Sequence, residues 1–96
     1  METTYYLVVE QTVDGKPLRT LDEYATTRRL VGDAADYEAG EFSGRWVGAF
    51  ELSFDASGRV VAAHPLPNIA TDVHAELLAR SEWRHHQAAL DRWQAR

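Results

Sequence analysis

Apolar and polar positions alternate most regularly between Arg45 and His64, and this pattern predicts a β-hairpin. A period of two is typical of a strand that turns one face to a core. The inner face of the first predicted strand carries Trp46, Gly48, Phe50, Leu52 and Phe54. Asp55 begins a predicted type I turn, and Gly58 closes it in a left-handed conformation.

This turn predicts which residues of the two strands face each other, because a short hairpin loop sets the register. The inner pairs are Val60 with Phe54, Ala62 with Leu52 and His64 with Phe50. The outer pairs are Val61 with Ser53 and Ala63 with Glu51. Pro65 and Pro67 end the hairpin, since proline has no N–H to donate to a continuing strand.

A further strand is predicted from Thr4 to Val13, which is rich in aromatic and β-branched residues. Both of its faces are apolar, and this is typical of a central strand. One face carries Tyr5, Leu7 and Val9, and the other carries Tyr6 and Val8. A turn follows at Asp14 to Pro17.

Thr20 and Glu23 have the spacing of a capping box, which predicts a helix from Thr20 to about Val31. Gly32 is then the expected residue just beyond the helix end. The acidic stretch 33–42 follows, and its sequence fits either a single helical turn that ends at Gly40 or an irregular loop.

From about Asn68 the chain is predicted to be helical to its end, and its apolar residues fall on two separate sides. One side carries Ile69, Ala70, Val73 and Leu77. The other carries Ala75, Ala79, Trp83, His86, Leu90 and Trp93, and its spacing of four and three is that of a helix pair. Either the helix breaks near Ser81, or the second side faces something other than the hairpin.

These elements predict one α+β domain over residues 1–96, with the order β-α-β-β-α. The expected sheet is antiparallel and has three strands, and the two helices lie mainly over one of its faces. We expect the second side of the last helix to form a homodimer interface through Ala79, Trp83, His86, Leu90 and Trp93.

The amino-acid composition excludes several kinds of chemistry and favours one location in the cell. The absence of cysteine excludes disulfides, thiol nucleophiles and thiolate metal sites, and it fits a reducing compartment. The chain also lacks an apolar run of about 20 residues that would cross a bilayer, and its start does not resemble a secretion signal. We therefore expect a cytoplasmic protein without membrane contact.

No motif predicts catalysis, a cofactor or a metal ion. The chain contains no G-x-S-x-G, P-loop or G-x-G-x-x-G pattern. Glu82 and His85 have the spacing of a helical di-metal ligand pair, but a second such pair is missing. The net charge of −5 disfavours direct nucleic-acid binding. We expect a protein that is not an enzyme.

All of the negative excess lies in residues 1–44, which hold nine acidic and four basic side chains. The expected partner-binding residues lie in this half and are Asp33, Asp36, Tyr37, Glu38 and Glu41. They predict a small acidic inhibitor, comparable to anti-defence, immunity or antitoxin proteins, that blocks a basic site on a larger protein complex. The alternative is a small-molecule binding or enzymatic domain that uses the sheet face near Tyr5, Phe50 and His64.

Overall fold

Four antiparallel strands and two helices make up the fold in the computed structural model, which describes residues 2–94. In chain order the elements are β1 (Glu2–Val13), β2 (Lys16–Tyr24), α1 (Thr27–Glu38), β3 (Arg45–Phe54), β4 (Val60–Pro65) and α2 (Ile69–Gln94). The strands are arranged in the order β2-β1-β3-β4. The α+β class and the central position of β1 are therefore confirmed, whereas the predicted count of three strands is wrong.

The additional strand is β2, in the segment where we expected a helix to begin. Asp14 and Gly15 both have positive φ, at 52° and 78°, and they form a tight turn that returns the chain along β1. Such a two-residue turn matches the twist of a hairpin. Thr20 then lies opposite Val9 in the ladder, so the predicted capping box with Glu23 does not form. The backbone hydrogen bonds to β1 replace a local cap.

The first helix lies later in the chain than predicted. Thr26 is its N-cap, and the hydroxyl of Thr26 accepts a hydrogen bond of 3.3 Å from the backbone N–H of Arg29. The helix continues through Gly32, where its end was expected, because burial of Leu30 and Ala34 offsets the cost of about 1 kcal/mol for an interior glycine. Residues 33–38 are the second half of this helix, and not the separate turn or the loop that we expected; Gly40, with a φ of 81°, lies just beyond the helix end.

The core lies between one face of the sheet and the two helices. Its most buried residues are Leu7 and Val9 from β1, Leu30, Ala34 and Ala35 from α1, and Ile69 and Val73 from α2. We call the sheet face that carries Leu7 and Val9 the covered face, and the opposite face the open face. The protein is 19 Å thick in its thinnest direction, which corresponds to one layer of sheet and one layer of helix.

The β3–β4 hairpin has the predicted turn. A carboxylate oxygen of Asp55 accepts hydrogen bonds from the backbone N–H groups of Ser57 and Arg59 at 2.9 and 3.0 Å. Gly58 has a φ of 83°, as expected for the left-handed closing residue. The hydrogen bonds of Asp55 lower the pKa of its carboxyl, and the one from the Ser57 hydroxyl has the largest effect.

Beyond the turn, the predicted register is correct for one pair only. Val60 lies opposite Phe54, but a bulge then leaves Val61 without a partner and shifts every later residue by one. The observed pairs are Ala62 with Ser53, Ala63 with Leu52, His64 with Glu51 and Pro65 with Phe50. Bulges of this kind are frequent at sheet edges, and β4 is an edge strand.

The predicted inner face of β3 is mainly the open face of the sheet. Phe50 lies opposite Tyr6, on the side away from Leu7, and Leu52 and Phe54 share that side. Trp46 lies opposite Val9 and packs against the core, because a bulge at Val47 reverses the alternation. The most apolar side of this strand is therefore the one that no helix covers.

The last helix is continuous from Ile69 to Gln94 and does not break near Ser81. Its first half packs on α1, and every residue from 81 to 94 is exposed. We call residues 81–94 the α2 overhang. Within the described part of the chain, neither helix is long and apolar enough to span a membrane.

Candidate interaction surfaces

The predicted second side of α2 is a continuous exposed stripe. Trp83 is 64% exposed, Leu90 40% and Trp93 71%. The rings of Trp83 and His86 are 6.0 Å apart, which places both on one side of the helix. We call Ala79, Trp83, His86, Leu90 and Trp93 the seam. The seam residues share one side of α2 and do not contact the core. Their role in a dimer stays a prediction.

The side of α2 that packs on the rest of the domain makes its last contacts at Arg80. Ile69 and Val73 on this side are buried, and Leu77 packs against the core. One, two and three turns beyond Arg80 on the same side, the residues are Arg84, Gln87 and Asp91, which are all polar and exposed. This change of polarity fits a helix that has passed the edge of its own domain. The apolar seam continues past that edge on a different side.

Arg80 fastens α2 to α1 at the last point where they touch. Its guanidinium donates to an Asp36 carboxylate oxygen at 2.7 Å, to Glu76 at 3.0 Å and to the backbone carbonyl of Gly32 at 3.2 Å. The Asp36 carboxylate is the main cause that raises the pKa of Arg80, and Glu76 adds to it. These contacts set the direction in which the overhang leaves the domain.

Two of the four predicted partner-binding acids already have contacts within the chain. Asp36 pairs with Arg80, and a carboxylate oxygen of Asp33 accepts a hydrogen bond of 2.6 Å from the hydroxyl of Tyr24. The hydroxyl of Tyr37 donates to Asp22 at 3.2 Å. These three predicted residues therefore help to attach α1 to β2 and α2.

The same hydrogen bonds affect two tyrosines. Burial raises the pKa of Tyr24, and the Asp33 carboxylate raises it further. Burial also raises the pKa of Tyr37, with the charge of Asp22 as the second cause. Both hydroxyls therefore stay protonated and continue to donate at neutral pH.

The remaining predicted acids, Glu38 and Glu41, are exposed at the end of α1. Phe42 lies beside them and is partly exposed, and its ring contacts Tyr37 edge-on at 5.0 Å between centroids. This end of α1 thus combines two free carboxylates with an aromatic side chain. The role of all five predicted residues in binding a partner stays a prediction.

The residues of the alternative small-molecule site do not share one face of the sheet. Tyr5 and His64 both lie opposite Glu51, on the covered face. Phe50 lies one position further along β3, on the open face. The sheet itself therefore separates Phe50 from the other two.

The open face is an apolar surface that was not among the predicted sites. Tyr6 and Phe50 stack on it with ring centroids 5.3 Å apart and planes 18° from parallel. Its other apolar members, from the registers of the four strands, are Val8, Leu21, Leu52, Phe54, Val60 and Ala63. The apolar Tyr6 and Val8 on the second side of β1 are the sequence signal for this surface, because a single layer of helices covers only one side.

Charged side chains lie at the two ends of the open face. At one end Glu10 accepts hydrogen bonds from Arg19 at 3.3 Å and from Arg45 at 2.9 Å. Arg45 and then Arg19 lower the pKa of the Glu10 carboxyl. Two mostly exposed guanidiniums and one largely shielded carboxylate leave this end positive. Glu2 and Glu23 line one shallow depression nearer the other end, which is negative.

Among residues 2–94, no three histidine or carboxylate side chains are grouped closely enough to hold a metal ion. Comparison of the chain with protein-family models, with curated proteins and with solved structures finds no match in any of the three. The surfaces of the molecule itself are therefore the basis on which a function is proposed.

Proposed function

We propose that this chain is a non-enzymatic protein–protein interaction domain that forms a homodimer through the seam. The observation that carries the proposal is the α2 overhang, where two tryptophans and a leucine lie exposed on one side. Tryptophan is enriched among the residues that contribute most to interface affinity. An apolar stripe of this size on a free helix is typical of a surface that binds another protein.

The length of the overhang supports this proposal. Isolated helices shorter than about 12–15 residues are only marginally stable in water. Residues 81–94 have no tertiary contact that would compensate, since all of them are exposed. Packing against a second overhang would cover the seam and stabilise the helix in one step.

Replacing Trp83 and Trp93 together by alanine is expected to weaken self-association through the seam by at least about tenfold, since each large side chain lost from an interface centre costs about 2 kcal/mol. Sedimentation equilibrium of the full chain over a range of concentrations measures the change. The matched control is the Ser81→Ala, His85→Ala chain, which alters the other side of the same overhang. Equal association of the two variant chains would contradict the seam.

The partner proposed for the dimer is a protein with a basic surface, which the chain would block as a small acidic inhibitor. The net charge of −5 supports this choice. The exposed patch of Glu38, Glu41 and Phe42 supports it as well, because carboxylates beside an aromatic ring suit a basic groove with an apolar floor. Asp33, Asp36 and Tyr37 would position this patch through their contacts within the chain.

Charge reversal at Glu38 and Glu41 is expected to weaken binding of the basic partner at least about tenfold while the fold is retained. The partner is first captured from extract of the native cell, then purified, and its dissociation constant is measured at two salt concentrations. The control chain carries Asp72→Lys and Asp91→Lys, which give the same net charge on a different surface. A partner that binds both chains equally would exclude the α1 end as its site.

A further inference from the structure

The open face of the sheet is apolar at its centre and carries opposite net charges towards its two ends. We propose that this face packs on the open face of a second copy of the chain, with β1 of one copy running in the opposite direction to β1 of the other. The proposal is independent of the seam and of the acidic patch, because it uses neither α2 nor the end of α1.

The first argument is the apolar content of the face. A sheet in a small domain normally buries both faces when both are apolar. Here Leu7 and Val9 on the covered face are fully buried, whereas on the open face Leu21 is 56% and Val60 53% exposed. The stacked rings of Tyr6 and Phe50 lie between them with no layer above. A second sheet at a distance of about 10 Å would bury all of these side chains.

The area of the open face is close to the area that a stable dimer buries. The four strands have 12, 9, 10 and 6 residues, and at about 3.3 Å per residue and about 4.8 Å between strands they form a face of about 600 Å² before the relief of the side chains is added. Specific complexes of ordinary size bury about 800 Å² on each partner. One sheet face with its rim residues therefore provides the greater part of the surface that a stable dimer needs.

The distribution of charge on the open face favours a second copy of the chain as the partner and also favours one orientation of the two sheets. Arg19 and Arg45 make one end of the face positive, and Glu2 and Glu23 make the other part negative. A twofold axis across the strands places the positive end of each copy over the negative end of the other. An axis along the strands would instead place the arginines of one copy over the same arginines of the other, where like charges repel. The face thus complements itself in one orientation, as a contact between identical copies requires.

The decisive experiment separates this contact from the seam. The background is the Trp83→Ala, Trp93→Ala chain, in which the seam no longer contributes. Its mass by sedimentation equilibrium is expected to be twice the chain mass of 10.8 kDa at tens of micromolar. Adding Leu21→Glu places an unpaired carboxylate in the contact, and the expected mass is that of one chain. A background chain that is already monomeric overturns the proposal.

A matched control is available on the same strand. Leu18→Glu makes the same chemical change three residues away in β2, at a side chain that is 49% exposed and belongs to the covered side of the ladder. It is expected to leave the mass at two chains, and circular dichroism verifies that each variant is folded. Should Leu21→Glu unfold the chain, Leu21→Ser replaces it. A mass that is the same for the Leu18 and the Leu21 variants overturns the proposal.

Charge exchange tests the orientation in the same background. A chain with Arg19→Glu and a chain with Glu2→Lys and Glu23→Lys are each expected to be monomeric, since both ends of the open face then carry a net charge of the same sign. Mixing the two chains is expected to restore a mass of two chains, because each altered end then meets its opposite. A mixture that stays monomeric overturns the opposed arrangement of the two sheets.

Discussion

Replacing Leu30 by alanine is expected to lower the free energy of unfolding by about 3–4 kcal/mol. Leu30 is fully buried between the sheet and α2, and it is one of only two leucines among the residues that are most buried in the described core. Truncation removes its transfer free energy and leaves a cavity that small neighbours such as Ala34 and Ala35 do not fill. A domain of this size is stabilised by about 5–15 kcal/mol, so the loss is a large part of the total.

Urea unfolding followed by circular dichroism measures this change, at a fixed chain concentration because association adds to apparent stability. The matched control is Leu78→Ala, the same truncation at a side chain that is 51% exposed. Its expected effect is within about 0.5 kcal/mol. Similar losses for the two variants would mean that the core does not lie between α1 and the sheet as described.

The parts of the fold that the sequence predicts correctly are those with strong local signals. The β1 strand has an uninterrupted aromatic and β-branched composition. The turn at Asp55 to Gly58 depends on hydrogen bonds within five residues. The α2 helix lacks glycine and proline along its whole length. Each of these signals is complete without any tertiary contact.

The β2 strand was missed because two local signals compete there. Thr20 and Glu23 fit a capping box, while Asp14 and Gly15 fit a tight hairpin turn. The hairpin forms because β1 offers a full row of backbone hydrogen bonds, which is a tertiary contact that a local pattern does not contain. Once β2 is a strand, the first helix begins at Thr27 and includes the first part of the acidic stretch, up to Glu38.

The faces of the hairpin could not be predicted because of its bulges. One extra residue at Val47 and another at Val61 reverse which side chains turn towards the helices. A period of two remains visible on either side of a bulge, but its phase changes at the bulge. The bulge at Val47 places Trp46 on the covered face and leaves Phe50 and Leu52 on the open face, although all three were predicted to share one face.

The candidate surfaces also differ in how far the sequence alone could predict them. The seam was predictable because helical spacing alone places Trp83 and Trp93 on one side. The partner-binding role of the acidic residues stays a prediction, and the sequence does not show that Asp36 contacts an arginine 44 residues away. The open face was not predicted at all, because recognising it requires knowing which side the helices cover.

Arg80 attaches α2 to α1, so its replacement is expected to lower the free energy of unfolding. The Arg80→Met chain keeps the aliphatic stem but loses the hydrogen bonds to Asp36, Glu76 and the Gly32 carbonyl. Hydrogen bonds to charged groups contribute about 1.5–3 kcal/mol each when partly shielded, and we expect a total loss of about 2 kcal/mol because water re-solvates the exposed carboxylates.

The matched control is Arg84→Met, one turn further along the same side of α2, where the side chain is exposed. Urea unfolding is expected to show a change within about 0.5 kcal/mol for this variant. Hydrogen exchange distinguishes how the loss arises: in the Arg80→Met chain the amides of α2 are expected to exchange faster than those of β1, because the helix separates from α1 before the sheet opens. Faster exchange spread evenly over β1 and α2 would contradict a local fastening by Arg80.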